Sequence, residues 1–265
     1  MSRNIVPSPA ECSNSVLTGA LRNDSVRAIL LDIEGTTTPL EFVYKTLFPY
    51  VRSHVRQFLG KHLSSSEVRA DIAGLRKEHM LDTHQGLNPP PFRQDAPEQE
   101  LESVVSYFEW LMERDRKSMP LKSLQGKIWE EGYRSGELRG QVFDDVPRAL
   151  ERWQEQKKNT YIFSSGSVLA QKLLFAHTTA GDLTRHISQY FDTTTGSKTD
   201  KQSYQKIANV LHRLPSEVVF VSDVTIELDA AKSAGMQTLL CVRPGNRPQP
   251  VSTHLLIRTL DEVFP

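Results

Sequence analysis

Four short runs of consecutive apolar residues, widely spaced in the chain, limit the choice of fold more strongly than any other feature. They are AILL (28–31), TYIF (160–163), VVFV (218–221) and TLLCV (238–242). Each run has the length of a buried β-strand and is bounded by polar or turn-forming residues. Strands that are apolar throughout are typical of a parallel sheet that is covered on both faces. The runs therefore predict the core strands of an α/β protein.

Helical patterns flank the last three runs. A helix is predicted to begin at Asp144 or Asp145, and others to cover about 165–176, 200–212 and 225–234. Their apolar residues recur at intervals of three and four, as on one face of a helix. Strands that alternate with helices predict right-handed crossover connections, and hence a doubly wound parallel sheet.

The segment between the first two runs is too long for one crossover connection. It carries helical apolar stripes at 43–58, 101–112 and 121–129, and a proline-rich stretch, GLNPPPFRQDAP (86–97), that predicts a loop between two helices. We therefore expect a helical cap over residues 41–140, inserted into a core formed by residues 25–40 and 141–265. Residues 1–24 are rich in Ser, Asn and Pro and are expected to form a loose tail.

Charge and cysteine content narrow the class of protein. Lys plus Arg and Asp plus Glu number 32 each, so the formal net charge is zero, which argues against a nucleic-acid or anionic membrane partner. No apolar run approaches the about 18 residues of a membrane-spanning helix. Cys12 and Cys241 form neither a disulfide framework nor a metal motif. We expect a cytoplasmic monomer that acts on a small molecule, and the sequence leaves a nuclear pool open.

Polar residues follow the predicted strands at their carboxyl ends, where open α/β sheets bind ligands. Asp32 and Glu34 follow the first run, and the other candidates follow later strands or the segment 190–192. In chain order the whole set is Asp32, Glu34, Ser164, Ser165, Lys198 and Asp223. If the strands are parallel neighbours, these side chains meet at one edge of the sheet.

Three carboxylates in this set imply a metal ion. Asp32, Glu34 and Asp223 would repel one another if they met without a cation. Carboxylate oxygens with no His or Cys among them suit a hard ion, and we expect one Mg²⁺. Glu227, four residues after Asp223, is equally consistent with a position beside the metal and with the first turn of a helix, where the helix dipole favours an acidic residue.

Ser164, Ser165 and Lys198 are candidates for binding an anion. The serines precede a predicted helix, so their hydroxyl groups and the free N–H groups of the helix would point at one ligand, and the lysine adds positive charge. Around a carboxylate nucleophile, such groups make a phosphoryl-transfer site. Each feature alone is also consistent with a solvated turn or a helix cap, and their occurrence at successive strand ends is what favours the site.

Together the motifs resemble those of the haloacid dehalogenase (HAD) superfamily of phosphatases, which carry a nucleophilic Asp, a Ser or Thr, a Lys and acidic metal ligands in that order. Glu34 stands where most members have a second Asp. With that departure, DIEGTTTPLEFV, YIFSSGSVLAQKLLF, the GSK loop with SYQKIA, VSDVTIE and VRPGN resemble the enolase-phosphatases of methionine salvage. The resemblance spans about residues 27–247 and is densest in the core.

The resemblance implies a HAD-like core with an inserted helical cap, and a role for each site residue. Asp32 would attack phosphorus and form an aspartyl-phosphate, and Glu34 would serve as acid and base for the leaving oxygen and then the attacking water. Its backbone carbonyl is a further candidate ligand for the metal. The implied metal ligands are Asp32, Glu34 and Asp223, and the implied phosphate ligands are Ser164, Ser165 and Lys198.

The resemblance also implies a substrate. Family members enolise 2,3-diketo-5-methylthiopentyl-1-phosphate and then remove its phosphate, giving an acireductone. Two alternatives remain open: a HAD phosphatase that acts on another small phosphate ester without enolisation, and a non-catalytic scaffold. The sequence does not assign the base for enolisation. Phe42, Tyr44 and Phe48 either line a pocket for the thioether tail or pack the cap on the core, and packing is favoured.

Overall fold

A parallel sheet forms the centre of the computed structural model, which describes residues 25–93 and 95–265. Within these residues the sheet has six strands: β1 (Ala28–Leu31), β2 (Asn159–Phe163), β3 (Ile187–Phe191), β4 (Val218–Ser222), β5 (Gln237–Cys241) and β6 (Leu255–Ile257). Their spatial order is β3-β2-β1-β4-β5-β6, and every neighbouring pair is parallel. The predicted doubly wound α/β class is confirmed. The predicted tail, with Cys12, lies outside the described residues.

The four apolar runs are the strands β1, β2, β4 and β5, and two further strands were not among them. β3 (ISQYF) is buried at its two ends and exposed at Ser188 and Gln189, because it forms one edge of the sheet. β6 (LLI) forms the other edge and has three residues, too few to give a pattern. Edge strands are partly solvated and lack the continuous apolar signal of central ones.

Between β1 and residue 135 the described chain is mainly helical. The elements are α1 (Leu40–Phe42), a π-helical turn (Val43–Leu47), α2 (Phe48–His62), α3 (Ser66–His84), α4 (Pro97–Glu113) and α5 (Met119–Ser135). This helical insert, called the cap below, has its own apolar core, which includes Val55, Leu75 and Phe108. The three predicted stripes fall in the turn with α2, in α4 and in α5, whereas the boundaries of core and cap stay a prediction.

The helix α3 was not predicted. Its buried apolar residues are Val68, Ile72 and Leu75 in a helix of 19 residues, so its apolar stripe is too sparse to stand out. Ser65 caps its N-terminus by accepting a hydrogen bond from the Val68 N–H. The proline-rich stretch is a connection as predicted, and α4 begins at its last residue, Pro97, where proline suits a first helical turn.

Four helices cover the sheet: α6 (Asp145–Glu155), α7 (Val168–Ala176), α8 (Lys201–Val210) and α9 (Thr225–Ser233). Alternate side chains of β1 enter two different apolar cores, because successive residues of a strand point to opposite faces. Ile29 and Leu31 pack with α6 and α7, whereas Ala28 and Leu30 pack with α8 and α9. This two-sided burial explains why the strands are apolar throughout.

The predicted core helices form with small shifts in their ends. α7 begins at Val168, three residues later than predicted, because Ser167 caps it by accepting from the Ala170 N–H. α9 is followed by Gly235 at φ +96°, a left-handed position that glycine adopts without strain. Among residues 25–93 and 95–265, no helix combines the length and the apolar character that crossing a membrane requires.

Candidate active site

The segment after β1 folds into a tight turn that ends the strand at Asp32. The Ile33 carbonyl accepts hydrogen bonds from the N–H groups of three consecutive threonines, Thr36, Thr37 and Thr38, at 3.2, 2.9 and 2.9 Å. Gly35 lies at φ +77°, a left-handed conformation that side chains disfavour. All three threonines are buried, and the turn fixes Asp32, itself 4% exposed, at the carboxyl end of the sheet.

Arg243, which follows the last of the four apolar runs, supports this turn through hydrogen bonds. The Arg243 guanidinium donates to the Thr36 carbonyl at 3.2 and 3.1 Å and pairs with Asp145 at 2.8 Å. Of the two residues at which this helix was predicted to begin, Asp144 holds the N-cap position of α6, without a side-chain hydrogen bond, and Asp145 is buried in this ion pair. The VRPGN motif therefore acts through the turn that carries Asp32.

Lys198 joins the carboxylates of two other motifs. Its ammonium lies 2.5 Å from Asp32 Oδ1 and 2.6 Å from Glu227 Oε2, and Glu227 also accepts from the Ser222 hydroxyl at 3.0 Å. The Tyr204 hydroxyl donates to the Lys198 carbonyl at 2.7 Å and holds the loop in place. Glu227 lies in the first turn of α9, as one interpretation of the sequence had it, and its side chain is the second partner of the buried lysine.

Burial and neighbouring charges shift the pKa values of Glu34, Asp223, Glu227 and Lys198. Burial, with the Asp32 carboxylate next in importance, raises the pKa of Glu34 to about 7 and that of Asp223 to about 7. The same two causes raise the pKa of Glu227. Burial alone would lower the pKa of Lys198, but the carboxylates of Asp32 and Glu227 outweigh it and raise that pKa. Four carboxyl groups thus share one ammonium group, an excess of negative charge that a bound cation would relieve.

The donor set beside Gly35 fits a hard cation. A Cβ added at Gly35 would lie 2.4 Å from Asp223 Oδ2 and 3.0 Å from the side-chain oxygen of Asn246. That Asn246 oxygen is buried without a hydrogen-bond partner among the described residues, while its amide nitrogen donates to the Gly35 carbonyl at 3.0 Å. Among residues 25–93 and 95–265, no group of three or more His, Cys, Asp or Glu side chains has metal-binding geometry. A cation held here would therefore depend on fewer than three such side chains, and the oxygens beside Gly35 are those of Asp223 and Asn246.

The turn after β2 carries the two candidate phosphate-binding serines. Ser164 is buried, and its hydroxyl accepts from the Gly166 N–H at 3.1 Å. The Gln171 amide donates to the Gly166 carbonyl at 2.8 Å and to the Phe191 carbonyl at 2.9 Å, which ties the turn to β3. Ser164 and Ser165 therefore belong to a fixed turn that precedes the first turn of α7.

A cavity of about 1040 Å³ separates this turn from the cap. From the core it is lined by Glu34, Ser164 and Ser165. Apolar side chains of the cap form one wall, and they include Val43, Tyr44, Leu47, Phe48 and Trp129. The sequence left open whether three aromatic residues line a pocket or pack the cap on the core. Tyr44 and Phe48 line the cavity, whereas Phe42 is buried in the core. Trp129, which its apolar stripe assigned to the core, also faces the cavity and donates to the Leu47 carbonyl at 3.0 Å.

Basic residues of the cap were missed at the sequence level. The cavity is lined by the cationic side chains of Arg52, Arg116, Lys117, Lys122 and Arg247, of which only Arg247 belongs to the core. The stretch DRKSMPLK (115–122) carries three of the cap residues, and its run of charges at the end of an apolar stripe is the one signal that could have pointed to them.

Two of these cations have defined partners. Arg116 lies 2.8 Å from Asp82, a buried carboxylate that also accepts from the Tyr107 hydroxyl at 2.6 Å. Lys122 donates to the Ser165 carbonyl at 3.0 Å and lies 3.4 Å from the Thr193 hydroxyl, so it connects the cap to the serine turn.

Comparison with known proteins gives the same answer as the motifs. Residues 26–235 match the model of the haloacid dehalogenase-like hydrolases. The chain is 49% identical over 239 residues to Enolase-phosphatase E1 of Synechococcus elongatus, covering 90% of this chain and 98% of that protein. It is 42% identical over 242 residues to a protein of Sorghum bicolor named probable bifunctional methylthioribulose-1-phosphate dehydratase/enolase-phosphatase E1, covering 90% of this chain and 47% of that one.

A solved structure agrees with the fold. The crystal structure of the UTR4 protein from Saccharomyces cerevisiae superposes with a TM-score of 0.73 at 34% identity, covering 90% of this chain and 100% of that one. The resemblance drawn from the motifs is confirmed. The chain belongs to the haloacid dehalogenase-like hydrolases and, among them, to the enolase-phosphatase E1 family.

Proposed function

We propose that this chain is a Mg²⁺-dependent enolase-phosphatase that converts 2,3-diketo-5-methylthiopentyl-1-phosphate into 1,2-dihydroxy-3-keto-5-methylthiopentene and phosphate, a step of methionine salvage. The names of its relatives support the reaction, and the plant relative's name joins the same activity to a dehydratase acting on another methylthio sugar phosphate. The observation that carries the proposal is the contact of Lys198 with both Asp32 and Glu227 beside the serine turn.

Asp32 is the nucleophile in this proposal. The contact with Lys198 orients its carboxylate, so that the free oxygen can attack phosphorus and form an aspartyl-phosphate. Ser164, Ser165 and Lys198 bind the phosphoryl oxygens, and the lysine offsets the negative charge that develops on them. Asp32, Ser164 and Lys198 are held by hydrogen bonds within the protein, so little reorganisation of these three groups is needed during the reaction.

Glu34 supplies and removes protons at the leaving oxygen. Burial and the Asp32 carboxylate raise its pKa to about 7, so both of its protonation states are accessible near neutral pH. As the acid it protonates the departing alkoxide, and as the carboxylate it deprotonates the water that hydrolyses the aspartyl-phosphate. The glutamate lines the cavity at the serine turn, where the leaving group must pass.

One Mg²⁺ would be held by the carboxylates of Asp32 and Asp223 and by the Glu34 carbonyl, and would neutralise charge on the phosphoryl group. The close approach of Asp223 to Gly35 and the unpaired Asn246 oxygen support this position. A monomeric state and a cytoplasmic location with an open nuclear pool stay predictions.

The test compares the wild type with Asp32→Asn, with and without Mg²⁺, on two substrates. We expect p-nitrophenyl phosphate hydrolysis to need the metal and to vanish in the variant. On the diketone phosphate, ultraviolet absorbance and phosphate release are followed separately, and we expect the enol to precede phosphate. Phosphate release without enol would favour a phosphatase for another ester. Hydrolysis that survives Asp32→Asn would remove Asp32 from its role.

A further inference from the structure

The proposed reaction needs a group that enolises the diketone, and none of the motif residues is committed to that step. Enolisation moves a proton from C1, the carbon that bears the ester oxygen, to the oxygen on C2. Because C1 is one ester oxygen away from phosphorus, it must lie beside the phosphate-binding turn at Ser164 and Ser165. The group that handles this proton must therefore reach the same turn from the cavity.

Lys122 reaches that turn from the cap. Its ammonium donates to the Ser165 carbonyl at 3.0 Å and lies 3.4 Å from the Thr193 hydroxyl, and the residue lines the cavity together with Glu34. Both neighbours are neutral oxygens. Among the described residues no carboxylate lies within the 4.0 Å of a salt bridge to it, whereas Lys198 has two such partners.

The surroundings of Lys122 favour transfer of its proton. Burial, followed by the positive charge of Lys117, lowers the pKa of Lys122, and the more distant carboxylates of Asp192 and Asp115 oppose this only in part. An ammonium group that is partly desolvated and has no ion pair gives up a proton more readily than a solvated one.

We propose that Lys122 carries the proton of the enolisation step, an inference that rests on the proposed function. Its ammonium gives a proton to the carbonyl oxygen on C2, and the resulting amine takes the proton from C1. The electron pair of the C1–H bond becomes the second bond between C1 and C2, and the carbonyl π pair becomes the new O–H bond. Since C1 and this oxygen are two bonds apart, one nitrogen serves both, and Lys122 ends as it began.

The experiment measures proton exchange and hydrolysis in parallel. A phosphonate analogue of the diketone phosphate, in which a methylene replaces the ester oxygen, is incubated with Mg²⁺-loaded enzyme in deuterated buffer. Exchange at the carbon adjacent to C2 on the phosphonate side is followed by NMR above the enzyme-free rate. Hydrolysis of p-nitrophenyl phosphate, which has no enolisable carbon, is the reference. In Lys122→Met we expect the ratio of exchange to hydrolysis to fall about a hundredfold or more.

Two further variants separate proton transfer from structure. Lys122→Arg can still donate to the Ser165 carbonyl, but a guanidinium stays protonated, so the ratio should fall as in Lys122→Met. Lys61→Met removes the same charge from an exposed position of α2 that does not line the cavity, and its ratio should stay within about threefold of wild type. Wild-type exchange in either Lys122 variant would overturn the inference. A wild-type enzyme that hydrolyses p-nitrophenyl phosphate but never exchanges the analogue would refute the enolase function, and the inference with it.

Discussion

The core side of the cavity carries mainly carboxyl groups, whereas the cap side carries mainly cationic side chains. On the core side, the carboxyl groups of Asp32 and Glu227 contact Lys198, those of Glu34 and Asp223 lie near enough to interact with it electrostatically, and all four residues are buried or half-buried. On the cap side, the cations at 52, 116, 117 and 122 stand around an apolar wall, and no cap carboxylate forms an ion pair with Lys122 among the described residues. In the proposed function, the core side would hold the metal and the phosphoryl group, and the apolar wall of the cap would contact the methylthio tail.

The contrast is sharpest between the two lysines. Lys198 has a raised pKa because its carboxylate partners outweigh burial, so it acts as a permanent charge. Lys122 has a lowered pKa because burial and a neighbouring lysine are not balanced by a bound carboxylate. The same side chain therefore serves electrostatic stabilisation on one side of the cavity and proton transfer on the other, and the neighbouring residues decide which.

The largest effect is expected from Gly35→Ala on the core side. The new Cβ would lie 2.4 Å from Asp223 Oδ2 and would also occupy a left-handed conformation at φ +77°. Displacing Asp223 disturbs the metal ligands, so kcat/KM should fall about a thousandfold, with a loss of about 1–2 kcal/mol in the free energy of unfolding from the backbone alone. Steady-state kinetics, urea denaturation and Mg²⁺ titration by calorimetry measure these effects.

Gly136→Ala is the matched control for that prediction. Gly136 ends α5 at φ +80°, and a Cβ there would meet nothing within 4 Å. It should lose a similar free energy of unfolding and keep its kcat/KM. Equal losses of activity in the two variants would show that backbone strain, and not the position of Asp223, is what Gly35 protects against.

Glu227→Gln should come next. It leaves the buried Lys198 with one carboxylate in place of two, while an amide oxygen can still accept from Ser222. We expect kcat to fall about 10-fold to 100-fold and KM to change little, because the lysine loses orientation toward the phosphoryl group in the transition state. Glu217→Gln, at a half-buried carboxylate that accepts from the Leu214 N–H, is the control and should leave both constants unchanged. A large rise in KM with constant kcat would contradict this role.

The sequence predicts the core side of the cavity better than the cap side, and the reason is physical. Asp32 and Ser164 come directly after an apolar run and Asp223 follows one at the second residue. Since the carboxyl ends of parallel strands share one edge, local patterns suffice to bring them together. Lys122 lies on α5 and Arg116 in the connection before it, and their place over the cavity depends on how the cap packs on the core. No local sequence pattern determines that packing, so the cap residues of the site could be identified only from the structure.

Glu227 and the edge strands show the limits within the core. The spacing of Glu227 fits any first-turn acidic residue, and only the arrival of Lys198 from a separate loop makes it a buried partner. The strands β3 and β6 and the helix α3 are partly solvated, so their apolar patterns are weak. The fold class survives these omissions because the central strands determine the topology.

A smaller effect is expected from weakening the contact between Asp82 and Arg116 in the cap. Asp82→Asn weakens the contact that holds Arg116 at the cavity and leaves the Tyr107 hydroxyl a neutral acceptor. We expect KM for the diketone phosphate to rise about 5-fold to 10-fold, with a smaller change in kcat, because a charged hydrogen bond contributes about 1.5–3 kcal/mol. Tyr107→Phe is the control: it destabilises the cap by about 1 kcal/mol but keeps the contact of Asp82 with Arg116. A rise in KM common to both variants would assign the effect to cap packing.

The smallest effect is expected from the apolar wall. Phe48 lies with its ring 6.4 Å from that of Trp129 and 6.0 Å from that of Tyr44, on the cavity side of the cap. Phe48→Leu keeps the wall apolar but removes part of its area, a loss of about 1 kcal/mol of contact with a methylthio tail. KM for the diketone phosphate should therefore rise about fivefold, whereas KM for p-nitrophenyl phosphate, which lacks the tail, should change less. An equal rise for both substrates would mean that Phe48 positions the cap and does not contact the tail. The difference between the two sides of the cavity would then depend on the cations alone.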